Sequence, residues 1–116
     1  MNEEQFQRGV IEFARLNGWL VMHIGDSRRE VRRGNVSRLV GDALTKGWPD
    51  LVLCHPKRGL VLVRELKSDK GRLRPDQRVW LEALVRAGID AGVWRPKDLD
   101  AIQATLTGKT QTKEAA

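Results

Sequence analysis

The sequence predicts an α/β fold in which a small mixed β-sheet is flanked by helices. Apolar residues recur at helical spacing in three segments, and short runs rich in β-branched residues lie between them. The segments alternate in the order helix, three strands, helix, strand, helix. A short turn makes neighbouring strands antiparallel and a helical crossover makes them parallel, so this order predicts a mixed sheet.

The first part of the chain is predicted to hold one helix and one strand, followed by a long basic segment. The helix covers residues 3–17, and Gly18 follows as a C-terminal stop. Residues 19–24 are expected to form the strand. The segment 25–47 is basic and contains several glycines, and a short helix is one interpretation of residues 36–44. So long a connection in a small domain is more often functional than idle.

The rest of the chain is predicted to form a hairpin, a helix, a strand and a last helix. A proline at the first turn and a following glycine delimit the middle helix. The predicted bounds are 50–53 and 60–66 for the hairpin strands, 55–59 for their turn, 75–87 for the middle helix, 89–94 for the last strand and 97–106 for the last helix. The whole is one domain over residues 1–106, and the polar tail 107–116 is expected to be disordered.

Charge favours a polyanionic partner. The net charge of the 116 residues is +6 with a pI of about 10.1, and nucleic acid is the commonest polyanion, although a soluble basic protein without one is the simpler alternative. A single cysteine excludes an intrachain disulfide, and no apolar stretch is long enough to span a membrane, so a cytoplasmic location in a bacterial or phage-infected cell is expected. Five arginines fall within eleven residues: Arg28, Arg29, Arg32, Arg33 and Arg38.

Two carboxylates and one ammonium group are predicted to meet in the hairpin. Glu65 and Lys67 lie two residues apart at the end of a strand, so their side chains point to the same face and Leu66 points to the core. Asp50 begins the other strand, and in an antiparallel hairpin the start of one strand lies beside the end of the next. Asp50 is therefore expected beside Glu65.

This trio fits phosphodiester hydrolysis. Two carboxylates hold Mg²⁺ or Mn²⁺, the backbone carbonyl of Leu66 offers another oxygen ligand, and the ion acidifies a bound water. Lys67 could orient or help deprotonate that water, or stabilise the transition state, and the sequence does not choose among these roles. The alternative is a surface ion pair, Glu65 with Lys67 or Asp50 with Arg64, since an isolated Glu-x-Lys is weak as a motif.

At these residues the chain resembles the PD-(D/E)xK nuclease superfamily and, more narrowly, the VRR-NUC domains of stand-alone phage and bacterial proteins. The resemblance runs from about residue 3 to about residue 106 and implies a restriction-endonuclease-like αβββαβ core. The matching segments are Gly47-Trp48-Pro49-Asp50, Glu65-Leu66-Lys67 and Gly71-Arg72-Leu73-Arg74-Pro75-Asp76-Gln77, with Glu3-Glu4-Gln5-Phe6-Gln7 and Trp94-Arg95-Pro96 as further matches.

The resemblance implies roles for individual residues. Asp50 and Glu65 become metal ligands and Lys67 the catalytic lysine. A further acidic ligand is implied on the first helix, where Glu3 and Glu4 compete and helix geometry favours Glu3. Gln77 gains a site role, and its spacing with the apolar residues after it turns it inward; the alternative is a helix-start residue bonded to nearby backbone.

The resemblance also implies DNA as substrate, branched DNA such as Holliday junctions in particular, and a homodimer that places two sites for paired cuts. Flap, single-strand or RNA cleavage, or a non-catalytic DNA-binding module of the same fold, are alternatives. One departure is that residues 30–46 look longer and more basic than a compact member needs, as in a DNA-binding or dimer-forming insertion. The residues expected to contact nucleic acid are Arg28, Arg29, Arg32, Arg33, Lys70 and Arg72.

Overall fold

The computed structural model describes residues 1–24 and 46–109 of the chain. The predicted α/β class and the order of elements are confirmed, and most ends agree within about two residues. The elements are α1 (Glu3–Leu16), β1 (Leu20–His23), β2 (Leu51–His55), β3 (Leu60–Leu66), α2 (Pro75–Arg86), β4 (Asp90–Trp94), a 3₁₀ turn (Pro96–Asp98) and α3 (Leu99–Thr107). The short helix considered for residues 36–44 and the residues 110–116 of the tail lie outside the described residues.

The four strands form one mixed sheet in the order β1-β2-β3-β4. β1 pairs with β2 and β2 with β3 in antiparallel fashion, whereas β3 and β4 are parallel, as the α2 crossover between them requires. In the hairpin, Leu51 lies opposite Arg64 and His55 opposite Leu60. β2 is therefore longer than predicted, because His55, expected in the turn, pairs as the last residue of the strand.

One face of the sheet carries the main hydrophobic core. α1 and α3 pack on this face, and the spacing of their apolar residues turns one stripe of each helix inward. The core residues are Phe6, Val10, Ala14, Trp19, Leu51, Leu53, Leu62, Leu66, Trp94, Ile102 and Leu106. No helix in the described ranges is both long and apolar enough to cross a membrane.

The helix α2 covers the opposite face near β3 and β4, and one glycine brings the start of the hairpin against it. Gly47 has φ +89°, and a Cβ there would lie 2.6 Å from the carbonyl oxygen of Asp76 in the first turn of α2. Only glycine allows both this left-handed backbone and this close approach. The segment that leads into Asp50 is thereby fixed beside the beginning of α2.

Candidate active site

Asp50 and Glu65 lie side by side at one end of the hairpin. Asp50 comes directly before β2, and since Leu51 pairs with Arg64, the next position along β3 is Glu65. The Oδ2 atom of Asp50 accepts a hydrogen bond of 2.9 Å from the backbone N–H of Leu66. The Asp50 carboxyl group lies close enough to that of Glu65 to raise the pKa of Glu65. Register and one backbone donor therefore fix the pair.

Glu65 is a buried carboxylate, and only one of its two oxygens has a hydrogen-bond partner among the described residues. Its residue surface is 2% exposed, and its Oε1 atom has no hydrogen-bond partner among the described residues. Its Oε2 atom accepts a bond of 2.9 Å from the side-chain amide of Gln77. Burial, and next the charge of Asp50, raise the pKa of Glu65 from 4.5 to about 8, although the ammonium group of Lys67 acts in the opposite direction.

The pair suits a divalent cation. Two ionised carboxylates are acceptors only, so their contact calls for a shared proton or a cation between them. The unpartnered, buried Oε1 of Glu65 is an oxygen ligand of the kind that Mg²⁺ and Mn²⁺ prefer. In residues 1–24 and 46–109, no group of three or more His, Cys, Asp or Glu side chains is arranged to hold a metal ion. Water and backbone carbonyls such as that of Leu66 would have to supply the remaining metal ligands.

Lys67 is the third member of this group. It is buried on the same face of β3 as Glu65, and its Nζ atom lies 3.6 Å from Oε2 of Glu65. Of the two ion pairs considered as the alternative, Glu65 with Lys67 does form, but it is buried and not at the surface. The pair of Asp50 with Arg64 does not form among the described residues, because Arg64 contacts Asp90 instead, with 2.8 Å between Nη2 and Oδ1. The ammonium group of Lys67, on a side chain that is 11% exposed, thus stands next to the carboxylate pair.

Gln77 both bonds to nearby backbone at the start of α2 and contacts the carboxylate pair, so both interpretations of its position apply. It is buried in the first turn of α2, and its Oε1 atom accepts a bond of 2.9 Å from the backbone N–H of Arg74. That contact caps the helix. Its Nε2 atom donates to Glu65, as described above. One planar amide therefore joins the start of α2 to the carboxylate pair and fixes which oxygen of Glu65 is engaged.

Glu3 and Glu4, at the start of α1, differ in the charged groups that lie near them. Glu3 is exposed, but its charge contributes to raising the pKa of Glu65, as the smallest of the causes. Glu4 faces Arg8 on the helix surface, with 3.9 Å between their charged atoms. The geometry favours Glu3 over Glu4 as the acidic residue nearer the site, and its role as a ligand stays a prediction.

Basic and aromatic side chains surround this end of the sheet. Lys70 and Arg72 are exposed in the loop that follows Lys67. Trp48 contacts Trp80 of α2 edge to face, with ring centroids 4.8 Å apart. The arginines predicted to bind nucleic acid in the basic segment, Arg28, Arg29, Arg32 and Arg33, lie outside the described residues.

One residue near the site was not singled out from the sequence. Arg95 follows β4, and its guanidinium group donates to carbonyl oxygens of the loop after Lys67. The sequence carried a signal for it: an arginine between a buried strand end and a proline, within a segment that matched the family. Its contacts nonetheless span more than twenty residues, and no periodicity predicts them.

Comparisons with known proteins agree with this geometry. The family model of the VRR-NUC domain matches residues 7–98, well over half of the chain. A solved structure of a VRR_NUC domain protein superimposes with a TM-score of 0.62 over 94% of this chain and 88% of that chain, at 16% sequence identity, and this likeness concerns the fold. No curated protein matches the chain. The resemblance predicted from the motifs is confirmed: the chain belongs to the VRR-NUC domain family, a family of nuclease type.

Proposed function

We propose that the chain is a divalent-metal-dependent endonuclease that hydrolyses phosphodiester bonds in structured DNA, with branched DNA such as a four-way junction as its substrate. The observation that carries the proposal is Glu65. A carboxylate with one buried oxygen left without a partner, in contact with a second carboxylate, destabilises a fold unless it serves a ligand. Membership in a family of nuclease type supports the proposal that this ligand belongs to a nuclease site.

Asp50 and Glu65 would hold the ion, with the carbonyl of Leu66 and a contribution from Glu3. Bound Mg²⁺ or Mn²⁺ supplies Lewis acidity toward a phosphoryl oxygen and lowers the pKa of a water ligand. Oxygen-only donors match both ions, and neither the buried pair nor its neighbours include a sulfur ligand. The Oδ2 atom of Asp50 is oriented by the N–H of Leu66, so the pair is prepared before the ion arrives.

The other side chains act on the substrate and on Glu65. Lys67 offers a positive charge beside the carboxylates, where it neutralises charge on the phosphate and holds a proton at Nζ next to the attacking water. Gln77 keeps Oε2 of Glu65 engaged and leaves Oε1 free for the ion. Water is largely excluded around Lys67 and Glu65, which strengthens each of these interactions.

Positive charge supports DNA as the molecule that meets this site. Lys70 and Arg72 are exposed directly after the strand that carries Lys67, where they can contact phosphates that flank the cleaved bond. We extend the same role to the arginines of the basic segment: Arg28, Arg29, Arg32 and Arg33. A homodimer would supply two sites and would cut two strands of a junction symmetrically.

The test is cleavage of labelled four-way junction, flap, duplex, single-stranded DNA and RNA, each with Mg²⁺, Mn²⁺ or EDTA. Lys67→Ala is the inactivating variant, and Lys57→Ala, in the exposed turn at the far end of the hairpin, is its charge-matched control. We expect metal-dependent cutting of the junction by the wild type and the control only. Cutting of another substrate alone contradicts the junction as substrate, and binding without any cutting contradicts the enzyme.

A further inference from the structure

The guanidinium group of Arg95 lies within a ring of backbone carbonyls. Its Nη1 atom donates to the carbonyl oxygens of Ser68 and Gly71, at 2.7 Å each, and the carbonyl oxygen of Asp69 is 3.5 Å away. The backbone N–H of Arg95 is itself bonded to the carboxylate of Asp98 at 2.9 Å. Arg95 is therefore fixed at its own backbone and in turn holds carbonyl groups of the loop that follows Lys67.

Two further contacts connect the same loop to the end of β4. The backbone N–H of Lys97 donates to Oδ1 of Asp69 at 3.0 Å, and the backbone N–H of Lys67 donates to the carbonyl of Trp94 at 3.1 Å. The segment from Trp94 to Lys97 thus holds the chain on both sides of Lys67. Within residues 1–24 and 46–109 the ammonium group itself has only an ion pair with Glu65, because 3.6 Å from Nζ to Oε2 is longer than a direct hydrogen bond.

The stem of Lys67 rests against the loop that Arg95 holds. A Cβ placed on Gly71 would lie 3.5 Å from Cδ of Lys67 and 3.1 Å from Oγ of Ser68. Gly71 is thus the surface over which the lysine side chain runs, and the carbonyl of the same glycine accepts one of the two short bonds from Arg95. A shift of this loop changes the direction in which Lys67 points.

We propose that Arg95 is a positioning residue for the cleavage reaction, which sets Lys67 against the carboxylate pair through the loop 68–71. The inference rests on the proposed nuclease function. The Nη1 atom of Arg95 directs its two N–H donors at these carbonyls, and the positive charge of the guanidinium strengthens both bonds beyond those of a neutral amide. Without it these carbonyls turn toward water, the loop samples several conformations, and Lys67 is in the productive position for a smaller fraction of the time.

The experiment compares Arg95→Ala and Arg95→Lys with Arg58→Ala. Arg58 is the control: its guanidinium also donates to a backbone carbonyl, that of Thr105 at 3.1 Å, but it lies over the ring of Trp19 at the far end of the hairpin. Cleavage of the preferred DNA is followed at saturating metal, at a temperature where circular dichroism shows each variant to be folded. Binding of Mn²⁺ and exchange of the amide hydrogens of residues 67–71 are measured on the same samples.

We expect Arg95→Ala to lower kcat about 10- to 100-fold, with KM and Mn²⁺ affinity within about threefold of the wild type. Arg95→Lys recovers part of kcat, because an ammonium group still donates to two carbonyls, and Arg58→Ala keeps kcat. A kcat of Arg95→Ala within twofold of the wild type overturns the proposal, and so does a loss that appears only in KM.

A failure of the proposed nuclease function can be distinguished from a failure of the proposal for Arg95. If the wild type cuts no nucleic acid, the nuclease proposal is lost whatever Arg95 does, and the exchange data then decide the role of Arg95. Faster exchange of the amides of residues 67–71 in Arg95→Ala than in the wild type and Arg58→Ala supports the positioning of Lys67. Unchanged exchange in this loop overturns it.

Discussion

The two ends of the β2–β3 hairpin treat a buried ionisable side chain, His55 at one end and Glu65 at the other, in opposite ways. At one end His55 is buried with both ring nitrogens engaged: Nε2 lies 3.0 Å from the carbonyl of Asn17, and Nδ1 accepts the N–H of Arg58 at 3.2 Å. Its ring meets Trp19 edge to face, with centroids 5.1 Å apart. At the other end Glu65 has an oxygen without a partner and a second carboxylate against it.

The difference separates a group that serves the fold from one that, in our proposal, serves a ligand. The neighbours of His55, a carbonyl and an N–H, select the neutral tautomer with its proton on Nε2, and that form is complete without any further partner. Glu65 is complete only with a proton or a cation. Buried polar groups are ordinarily satisfied, so an unsatisfied one indicates where stability is sacrificed for function.

The largest expected effect is that of Glu65→Gln. This variant removes the negative charge that is buried at the Glu65 end of the hairpin. We expect cleavage to fall by about a thousandfold or more, because the ion loses a ligand. In EDTA at pH 8 the same variant should raise the free energy of unfolding by about 1–3 kcal/mol, since a neutral amide is buried in place of a carboxylate. Chemical denaturation and cleavage are measured on one preparation. A variant that is both inactive and less stable contradicts the comparison.

The next effect is a dependence of stability on pH at the Glu65 end. The pKa of Glu65 rises from 4.5 to about 8 on folding, so between these values the folded protein binds more protons than the unfolded chain. In EDTA the free energy of unfolding therefore falls as pH rises through this window, by up to about 1.4 kcal/mol per pH unit.

Denaturation at pH 5, 6.5 and 8 measures this slope. Mn²⁺ should stabilise the protein more at pH 8 than at pH 5, since it competes with the proton for the same oxygens. Glu65→Gln is the control and should lose both the slope and most of the stabilisation by Mn²⁺. A wild-type stability that rises between pH 5 and 8 in EDTA would exclude this account of the site.

The smallest expected effect is that of a substitution at the His55 end of the hairpin. His55→Ala removes two hydrogen bonds and an aromatic contact, so the free energy of unfolding should fall by about 2 kcal/mol. Cleavage per folded molecule should stay within twofold of the wild type, because His55 lies at the far end of β2 from Asp50. His23→Ala, which changes the exposed histidine of β1, is the stability control. A loss of kcat in His55→Ala would show that the two ends are coupled.

The part of the site that follows from strand alternation and helical spacing could be predicted. Glu65 and Lys67 share a face because strand side chains alternate, and Asp50 lies beside Glu65 because an antiparallel hairpin brings those positions together. Gln77 turns inward because it begins the apolar stripe of α2. Each of these inferences needed only local periodicity and one short turn.

Contacts between distant segments could not be predicted. The approach of Gly47 to the backbone of Asp76, and the reach of Arg95 back to Gly71, depend on how the elements pack, and neither leaves a periodic trace. The prediction of His55 in the turn is wrong, because its pairing with Leu60 continues β2 to this residue. At each of these positions tertiary contacts, and not local sequence preference, determine the conformation.

The parallel pairing of β3 with β4 has a consequence for the chain while it is being made. The carboxylate pair belongs to one hairpin and can form early, but the contacts that fix Lys67, from Trp94 and Arg95, come from a strand that follows a whole helix later. Non-local parallel pairing is slow compared with hairpin closure. Asp50 and Glu65 can therefore come together before Trp94 and Arg95 hold the chain around Lys67, so the candidate site is completed only once β4 has been made.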